Sequence, residues 1–110
     1  MPFRYLTWNK PRLPTEEELK KQLLKEGIKP YLEVMERDEV SEIHQHNFDE
    51  VRVLVSGKVE FCAEGRCIFL KPGDHVDLPR NAAHLLRNHE RGQSVMLCAE
   101  KGQRVFVEIY

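Results

Sequence analysis

The feature that most constrains the fold is a change of hydrophobic period near Tyr31. From there onward apolar and polar residues alternate in short runs rich in Val, Ile and Phe. Such runs, bounded by turn residues, are typical of half-buried β-strands. The sequence predicts strands over residues 31–37, 40–46, 50–55, 58–63, 66–70, 74–78, 83–89, 94–100 and 104–109. Short strands at this regular spacing indicate a sandwich or a barrel, so the body is predicted to be all-β.

The turns between these strands have recognisable chemistry. Residues 71–74 place Pro72 and Gly73 at the two central positions, as a type II turn requires. Glu64 and Gly65 are predicted to form a two-residue hairpin loop.

One helix precedes the strands. Thr15 is predicted to cap its N-terminus, Glu18 completes a capping box, and Gly27 ends the helix. Leu19 and Leu23 share one face. We therefore expect a surface helix that lies on a larger body.

The first residues are predicted to form an extended arm, because Pro2, Pro11 and Pro14 each remove a backbone donor and fix φ. The domain organisation follows: residues 1–30 are the arm and helix, and residues 31–110 are the barrel. The apolar side chains of the arm are expected to pack on the body: Phe3, Tyr5, Leu6 and Trp8.

Composition excludes several classes of function. The 110 residues carry 17 Lys and Arg against 18 Asp and Glu, a net charge of −1, which lacks the basic excess that nucleic-acid binding draws on. At 41% hydrophobic and 32% charged, the chain is predicted to be folded and soluble. No apolar run is long enough for a signal peptide or a membrane span, so no membrane partner and a cytoplasmic location are expected.

The histidines carry the strongest functional signal. His44 and His46 lie two residues apart in a predicted strand, so their rings project from the same face. Glu50 heads the next strand, and His84 follows the turn at residues 79–81. Three neutral imidazoles and a carboxylate suit a borderline divalent metal. The alternative is that each histidine is separately structural or solvated.

These residues resemble the first motif of the cupin superfamily. That motif runs Gly, five residues, His-x-His, three or four residues, Glu, six residues, Gly. This chain has His44, His46, Glu50 and Gly57 at that spacing, and Asp38 replaces the opening Gly.

The second cupin motif runs Gly, five residues, Pro-x-Gly, two residues, His, three residues, Asn. Gly73, Pro79, His84 and Asn88 match it, and Asn81 replaces the second Gly. Asp and Asn, the two replacing residue types, tolerate positive φ better than most, so the same turns are predicted.

The resemblance implies an all-β fold, a cupin-type jelly-roll β-barrel with one N-terminal α-helix. It also implies that His44, His46, Glu50 and His84 bind one divalent transition metal inside that barrel. Cupins hold Mn, Fe, Ni, Cu, Co or Zn at this site, and the ligand set does not choose among them.

Three functions follow from the resemblance. The first is a metal-dependent dioxygenase acting on a small anionic or enolic substrate, with Glu50 as a catalytic proton carrier as well as a ligand. The second is a metal-dependent isomerase or decarboxylase of a small oxyacid. The third is a non-catalytic module that binds or senses a metal or small ligand.

Arg52 is predicted to bind the substrate. If Glu50 points into the barrel, alternation also directs Arg52 and Leu54 inward. A guanidinium in an apolar barrel requires an anion, and a substrate carboxylate would satisfy it bidentately. The alternatives are a pair with Glu42 or Asp77, or a position at the rim.

The same alternation directs Val51, Val53 and Val55 outward as an apolar stripe, which something must cover. The helix, the aromatic arm or a second subunit would do so. With the resemblance, this stripe leads us to expect a homodimer.

Cys62 and Cys67 bracket the predicted hairpin and face each other across it, so a disulfide is conceivable there, although cytosolic thiols are expected to stay reduced. Cys98 is predicted to be a core residue. His75 and His89 are expected to be solvated.

Overall fold

The structure, a computed structural model, describes residues 3–101. Within that range it contains one helix and nine strands. In chain order these are β1 (Arg4–Leu6), α1 (Glu16–Lys25), β2 (Tyr31–Met35), β3 (Val40–His44), β4 (Asp49–Ser56), β5 (Val59–Ala63), β6 (Arg66–Leu70), β7 (His75–Leu78), β8 (His84–Asn88) and β9 (Ser94–Lys101). The predicted strand over residues 104–109 lies outside the described residues.

The strands form two antiparallel sheets. Five strands pair in the order β1-β7-β4-β9-β2, and four pair in the order β3-β8-β5-β6. Apolar side chains from both sheets meet in one core, as expected when two sheets pack through their inner faces. The predicted all-β jelly roll with one N-terminal helix is confirmed. The buried residues of this core are Phe3, Met35, Leu54, Val59, Phe61, Ala63, Leu70, Val76, Leu78, Ala82, Leu86, Met96 and Cys98.

Helix α1 begins and ends where the sequence predicts. The Thr15 side chain accepts a hydrogen bond from the backbone N–H of Glu18, and the Glu18 carboxylate accepts one from the backbone N–H of Thr15. Gly27 follows the helix with φ of +76°, a left-handed conformation that favours glycine. Within the described residues, no helix is long and apolar enough to cross a membrane.

The outer face of β4 is covered by α1. Leu19 and Leu23 are each 2% exposed and pack against Val51 and Val53, while Val55 is partly buried at the edge of the cluster. Of the three coverings that the sequence allows, the helix lies there, and Trp8 of the arm packs against the same cluster. The valine stripe therefore no longer argues for a homodimer, which stays a prediction.

The N-terminal arm is part of the larger sheet. Residues 4–6 form β1, a strand that local sequence did not predict, and this strand pairs with β7. The Phe3 ring enters the core and meets Phe61 edge-on at 5.1 Å between centroids. The Tyr5 hydroxyl and the Trp8 backbone N–H both donate to the buried carboxylate of Asp74. The division at residue 30 stays a prediction.

The two residues that replace glycines of the cupin motifs adopt positive φ, as predicted. Asp38 has φ of +60° and Asn81 has φ of +65°. Gly73 has φ of +91°, and the Asp74 N–H donates to the Lys71 carbonyl, as predicted for a type II turn.

The hairpin between β5 and β6 has the predicted two-residue loop, with positive φ at both Glu64 and Gly65. Cys62 pairs with Cys67 across the strands, with 4.0 Å between their Cα atoms, and the two are joined in a disulfide. The expectation that these thiols stay reduced is not met in this structure, because the register holds both side chains opposite each other on one face.

Truncating the helix face will destabilise the protein. Leu19→Ala or Leu23→Ala is expected to lower the free energy of unfolding by about 2–4 kcal/mol, because each removes a buried side chain and leaves a cavity over β4. Urea denaturation measures the loss. Leu24→Ala is the matched control: Leu24 is 52% exposed, so its change should stay within about 0.5 kcal/mol. Equal losses at Leu23 and Leu24 would contradict this packing.

Candidate metal centre

The two sheets bring the predicted ligands to one place. His44 ends β3 and lies opposite His84, the first residue of β8. His46 follows β3, and its carbonyl accepts a 2.6 Å hydrogen bond from the N–H of Asn81. That bond ties the loop of the first motif to the turn of the second. Glu50 reaches the same place from β4, in the other sheet.

Three histidines form the centre of this cluster. Nitrogen atoms of His44, His46 and His84 lie within 4.8 Å of one another. The ring centroids of His44 and His84 are 4.1 Å apart, and those of His46 and His84 are 5.3 Å apart. A separation of this order lets three imidazoles bind one ion, because each metal–nitrogen bond would be about 2.0–2.1 Å.

The hydrogen bonds of two rings leave their Nε2 atoms as ligand atoms. His44 Nδ1 lies 2.7 Å from the Glu42 carbonyl, and His84 Nδ1 lies 3.0 Å from the Ala82 carbonyl. A carbonyl only accepts, so each Nδ1 carries the proton and, in the neutral ring, Nε2 carries the lone pair.

His84 Nε2 has no hydrogen-bond partner among the described residues, although His84 is only 1% exposed. Burial, the largest cause, lowers the pKa of His84, and His44 adds to this, while the Ala82 carbonyl and Glu50 act in the opposite direction. The ring is therefore neutral near pH 7 and presents an unused lone pair. An orphaned buried acceptor of this kind fits a metal ligand.

Glu50 lies beside this cluster and is 2% exposed. Its Oε2 is 3.4 Å from His46 Nε2, and its Oε1 is 3.8 Å from His84 Nε2. The Nε–H of Arg52 donates to Oε1 at 2.7 Å. One carboxylate oxygen is thus held by the guanidinium, and Oε2 lies on the side of His46.

Arg52 points inward, as alternation predicts, and is 4% exposed. Its Nη1 donates to Oε2 of Glu33 on β2 at 3.0 Å, in addition to the bond with Glu50. Burial lowers the pKa of Arg52, but the surrounding negative groups outweigh it and hold that pKa above its ordinary value. Among the described residues, Arg52 pairs with neither Glu42 nor Asp77, the partners considered from the sequence.

Cys98 joins this network rather than only filling the core. Its thiol accepts from Arg52 Nη1 at 3.2 Å and donates to Glu33 Oε2 at 3.3 Å. Burial raises the pKa of the Cys98 thiol, so the thiol is neutral at physiological pH. Sequence reasoning missed Glu33 because its contact with Arg52 depends on strand order, which no local pattern carries.

Aromatic rings flank the histidines. Phe48 stacks on His46 with a 15° angle between planes and 4.6 Å between centroids. Phe61 lies 6.0 Å from His84 on the core side. These contacts limit the rotation of both imidazoles, as a defined ligand set requires.

The two remaining histidines lie outside the cluster. His75 Nε2 is 2.9 Å from Asp77 Oδ1, and His89 Nε2 is 3.0 Å from Glu60 Oε1. Their expected solvation is only partial, because each is held by a carboxylate.

The arrangement fits a divalent transition metal. Neutral imidazoles with one nearby carboxylate suit such an ion, and nothing else among the described groups satisfies the Nε2 of His84. The four predicted residues are therefore brought together, with the histidines closest to one another and Glu50 at the margin.

Comparison of the sequence with known proteins identifies the family to which this domain is similar. Residues 31–100 match the Cupin_2 family, described as a cupin domain. Acireductone dioxygenases of Bacillus anthracis and Bacillus mycoides are each 36% identical to this chain over 69 residues, which are 58% of this chain. The matched segment is 37% of the length of those enzymes.

Solved structures agree with the fold. DMSP lyase DddQ from Ruegeria pomeroyi has a TM-score of 0.63 and 28% identity, covering 76% of this chain and 41% of that one. KdgF from Halomonas sp. has a TM-score of 0.55 and 28% identity, covering 64% of this chain and 70% of that one. The family match spans both motifs and almost all of the two sheets, and this chain therefore belongs to the cupin family.

Proposed function

We propose that this chain is a metal-dependent cupin enzyme that binds one divalent transition metal through His44, His46, Glu50 and His84. The observation that carries the proposal is the Nε2 atom of His84, which is buried, deprotonated and without a partner among the described residues. An unpaired buried acceptor costs about 1–3 kcal/mol, so a ligand at this position stabilises the fold as well as serving function.

We propose further that the reaction is a dioxygenation of a small enolic or anionic substrate. The similarity to acireductone dioxygenases, which extends over 58% of this chain, supports this choice. A metal ion bound here would supply a Lewis acid with open positions for substrate and O₂. Mn, Fe, Ni, Cu, Co and Zn all suit this ligand set.

Glu50 has the catalytic role in this proposal. Its Oε1 stays bonded to Arg52, so Oε2 is the atom that accepts the proton of an enolic substrate and later returns it. The buried surroundings exclude water from that transfer, because Glu50 is 2% exposed.

Arg52 acts here chiefly as a positioning residue for Glu50. Two carboxylates already pair with Arg52, so a substrate anion is not needed to stabilise the guanidinium. Its predicted role in substrate binding stays a prediction, and it requires the substrate to displace the Glu33 carboxylate, the more exposed partner at 34%.

The first prediction concerns metal binding. His84→Ala is expected to lower metal affinity at least tenfold by removing one of four ligands, with His75→Ala as the control histidine outside the cluster. Elemental analysis after dialysis, with the Cys62–Cys67 disulfide kept intact, gives the stoichiometry. We expect one equivalent in the wild type and in the control. Wild-type metal content in His84→Ala would remove His84 from the ligand set.

The second prediction concerns Arg52. Arg52→Met removes the guanidinium that holds Oε1 of Glu50, so the carboxylate loses its fixed orientation beside the histidines. We expect metal affinity to fall about 10- to 100-fold. Isothermal titration measures the affinity. Arg37→Met, a change at an exposed arginine, should leave metal affinity unaltered, and an unaltered affinity in Arg52→Met would contradict the positioning role.

The third prediction concerns the reaction. Protein loaded with Fe²⁺ should consume O₂ when an acireductone is added, and Glu50→Gln should slow that uptake by about 10²- to 10⁴-fold. An oxygen electrode measures the rate, and product analysis follows the substrate. Substrate turnover without O₂ uptake would contradict the dioxygenase and favour an isomerase, decarboxylase or lyase. A metal-loaded protein with no turnover of any such substrate would favour the non-catalytic alternative.

A further inference from the structure

We propose that Cys62, Cys67, Glu60 and His89 form a second metal site, for a thiophilic divalent cation such as Zn²⁺, and that the disulfide closes this site. The site lies on the outer face of the four-stranded sheet, away from the histidine cluster inside. It forms when the cysteines are reduced and is absent when they are joined.

The strand register places three of the ligands together. Cys62 lies directly opposite Cys67, and Glu60 precedes Cys62 by two residues, so its side chain projects from the same face. The alternate residues Phe61 and Ala63 are buried in the core, which fixes the cysteines on the outside. The potential ligand atoms of Glu60, Cys62 and Cys67 all lie within 4.8 Å of one another.

His89 supplies the fourth ligand from the end of β8. Its Nε2 is 3.0 Å from Glu60 Oε1. Its backbone N–H donates to the Lys58 carbonyl at 3.0 Å, and its ring meets Phe69 edge-on at 5.2 Å between centroids. The imidazole is thus held beside the carboxylate rather than free to leave the sheet.

This donor set suits zinc. Two thiolates, an imidazole and a carboxylate are the ligands that a four-coordinate Zn²⁺ site uses, and sulfur selects zinc over Mg²⁺ or Ca²⁺. The charges also balance: the three anionic ligands are offset by the divalent cation and by Arg87, whose guanidinium lies 3.4 Å from Glu60.

Oxidation and metal binding exclude each other, because the thiolate is the ligand and a disulfide sulfur is not. A dithiol reductant would supply two electrons and two protons, breaking the Cys62–Cys67 bond and itself becoming a disulfide. Metal binding then displaces the two thiol protons. Cys67 is exposed, and an open groove of about 370 Å³ runs beside the pair, so a reductant has access.

The inner and outer sites are neighbours in strand register but are separated by the sheet itself. Ala63 pairs with His84 and Cys62 pairs with Leu85, so one strand position separates the disulfide from a ligand of the inner site. The side chains of Cys62 and His84 nevertheless project from opposite faces of the sheet. Substitutions at either site can therefore be made without removing ligands from the other.

Titration with Co²⁺, a spectroscopic substitute for zinc, tests the proposal. Full-length protein is reduced with a dithiol, freed of it under anaerobic conditions and compared with the oxidised form. We expect two equivalents and a thiolate-to-Co²⁺ charge-transfer band in the near-ultraviolet for the reduced protein. The oxidised protein should bind one equivalent and show no such band.

Substitutions identify the residues that produce the charge-transfer band. Cys62→Ser and Cys67→Ser should each abolish it and keep the first equivalent, while Glu60→Gln and His89→Ala should weaken the second equivalent at least tenfold. Cys98→Ala, at the buried free thiol, should keep the band. His84→Ala should also keep the band. A reduced protein that shows the band but lacks the first equivalent would contradict the proposed function and not this second site.

Three results would overturn the second site. One is a single equivalent without the band in the reduced wild type. Another is a band that survives in the Cys62→Ser/Cys67→Ser double variant. The last is an unchanged affinity for the second equivalent of Co²⁺ in both Glu60→Gln and His89→Ala.

Discussion

The alternation of side chains along β4 is the constraint on which the rest of the structure depends. This strand lies in the middle of the five-stranded sheet, between β7 and β9, and is buried on both faces. One face packs Val51 and Val53 against the helix, and the other directs Glu50 and Arg52 into the barrel. A shift of one residue in register would exchange the two sets, placing charges under the helix and valines at the site.

The charges on the inner face are tolerated because each has a partner. Glu50 and Arg52 are both nearly inaccessible, and the guanidinium also bonds to Glu33 on β2. Isolated buried charges would be very costly, so the pair is a condition for placing a carboxylate beside the histidines. The smaller sheet carries the imidazoles, and the larger sheet carries Glu50 together with Arg52. The bond between His46 and Asn81 links the two motifs that deliver them.

Much of this arrangement could be predicted from local sequence. Thr15 and Glu18 predict the start of the helix because a capping box is a contact over only three residues. Positive φ at Asp38 and Asn81 follows from the spacing of the motifs. Contacts between distant strands could not be predicted in this way. Strand β1 is three residues long, and its partner β7 lies about seventy residues later in the sequence, so no periodic pattern predicts this strand. The partner of Arg52 was missed for the same reason, since Glu33 reaches it only through the strand order β4-β9-β2.

Diffraction from crystals of the metal-loaded protein, recorded on both sides of the absorption edge of the bound element, tests the central claim most directly. The account predicts an anomalous peak inside the barrel, about 2.0–2.2 Å from the Nε2 atoms of His44, His46 and His84, with a carboxylate oxygen of Glu50 as the oxygen ligand. The Nδ1 atoms of His44 and His84 should still donate to their backbone carbonyls. An ion bound through Nδ1, a peak away from these side chains, or no peak inside the barrel would contradict the account.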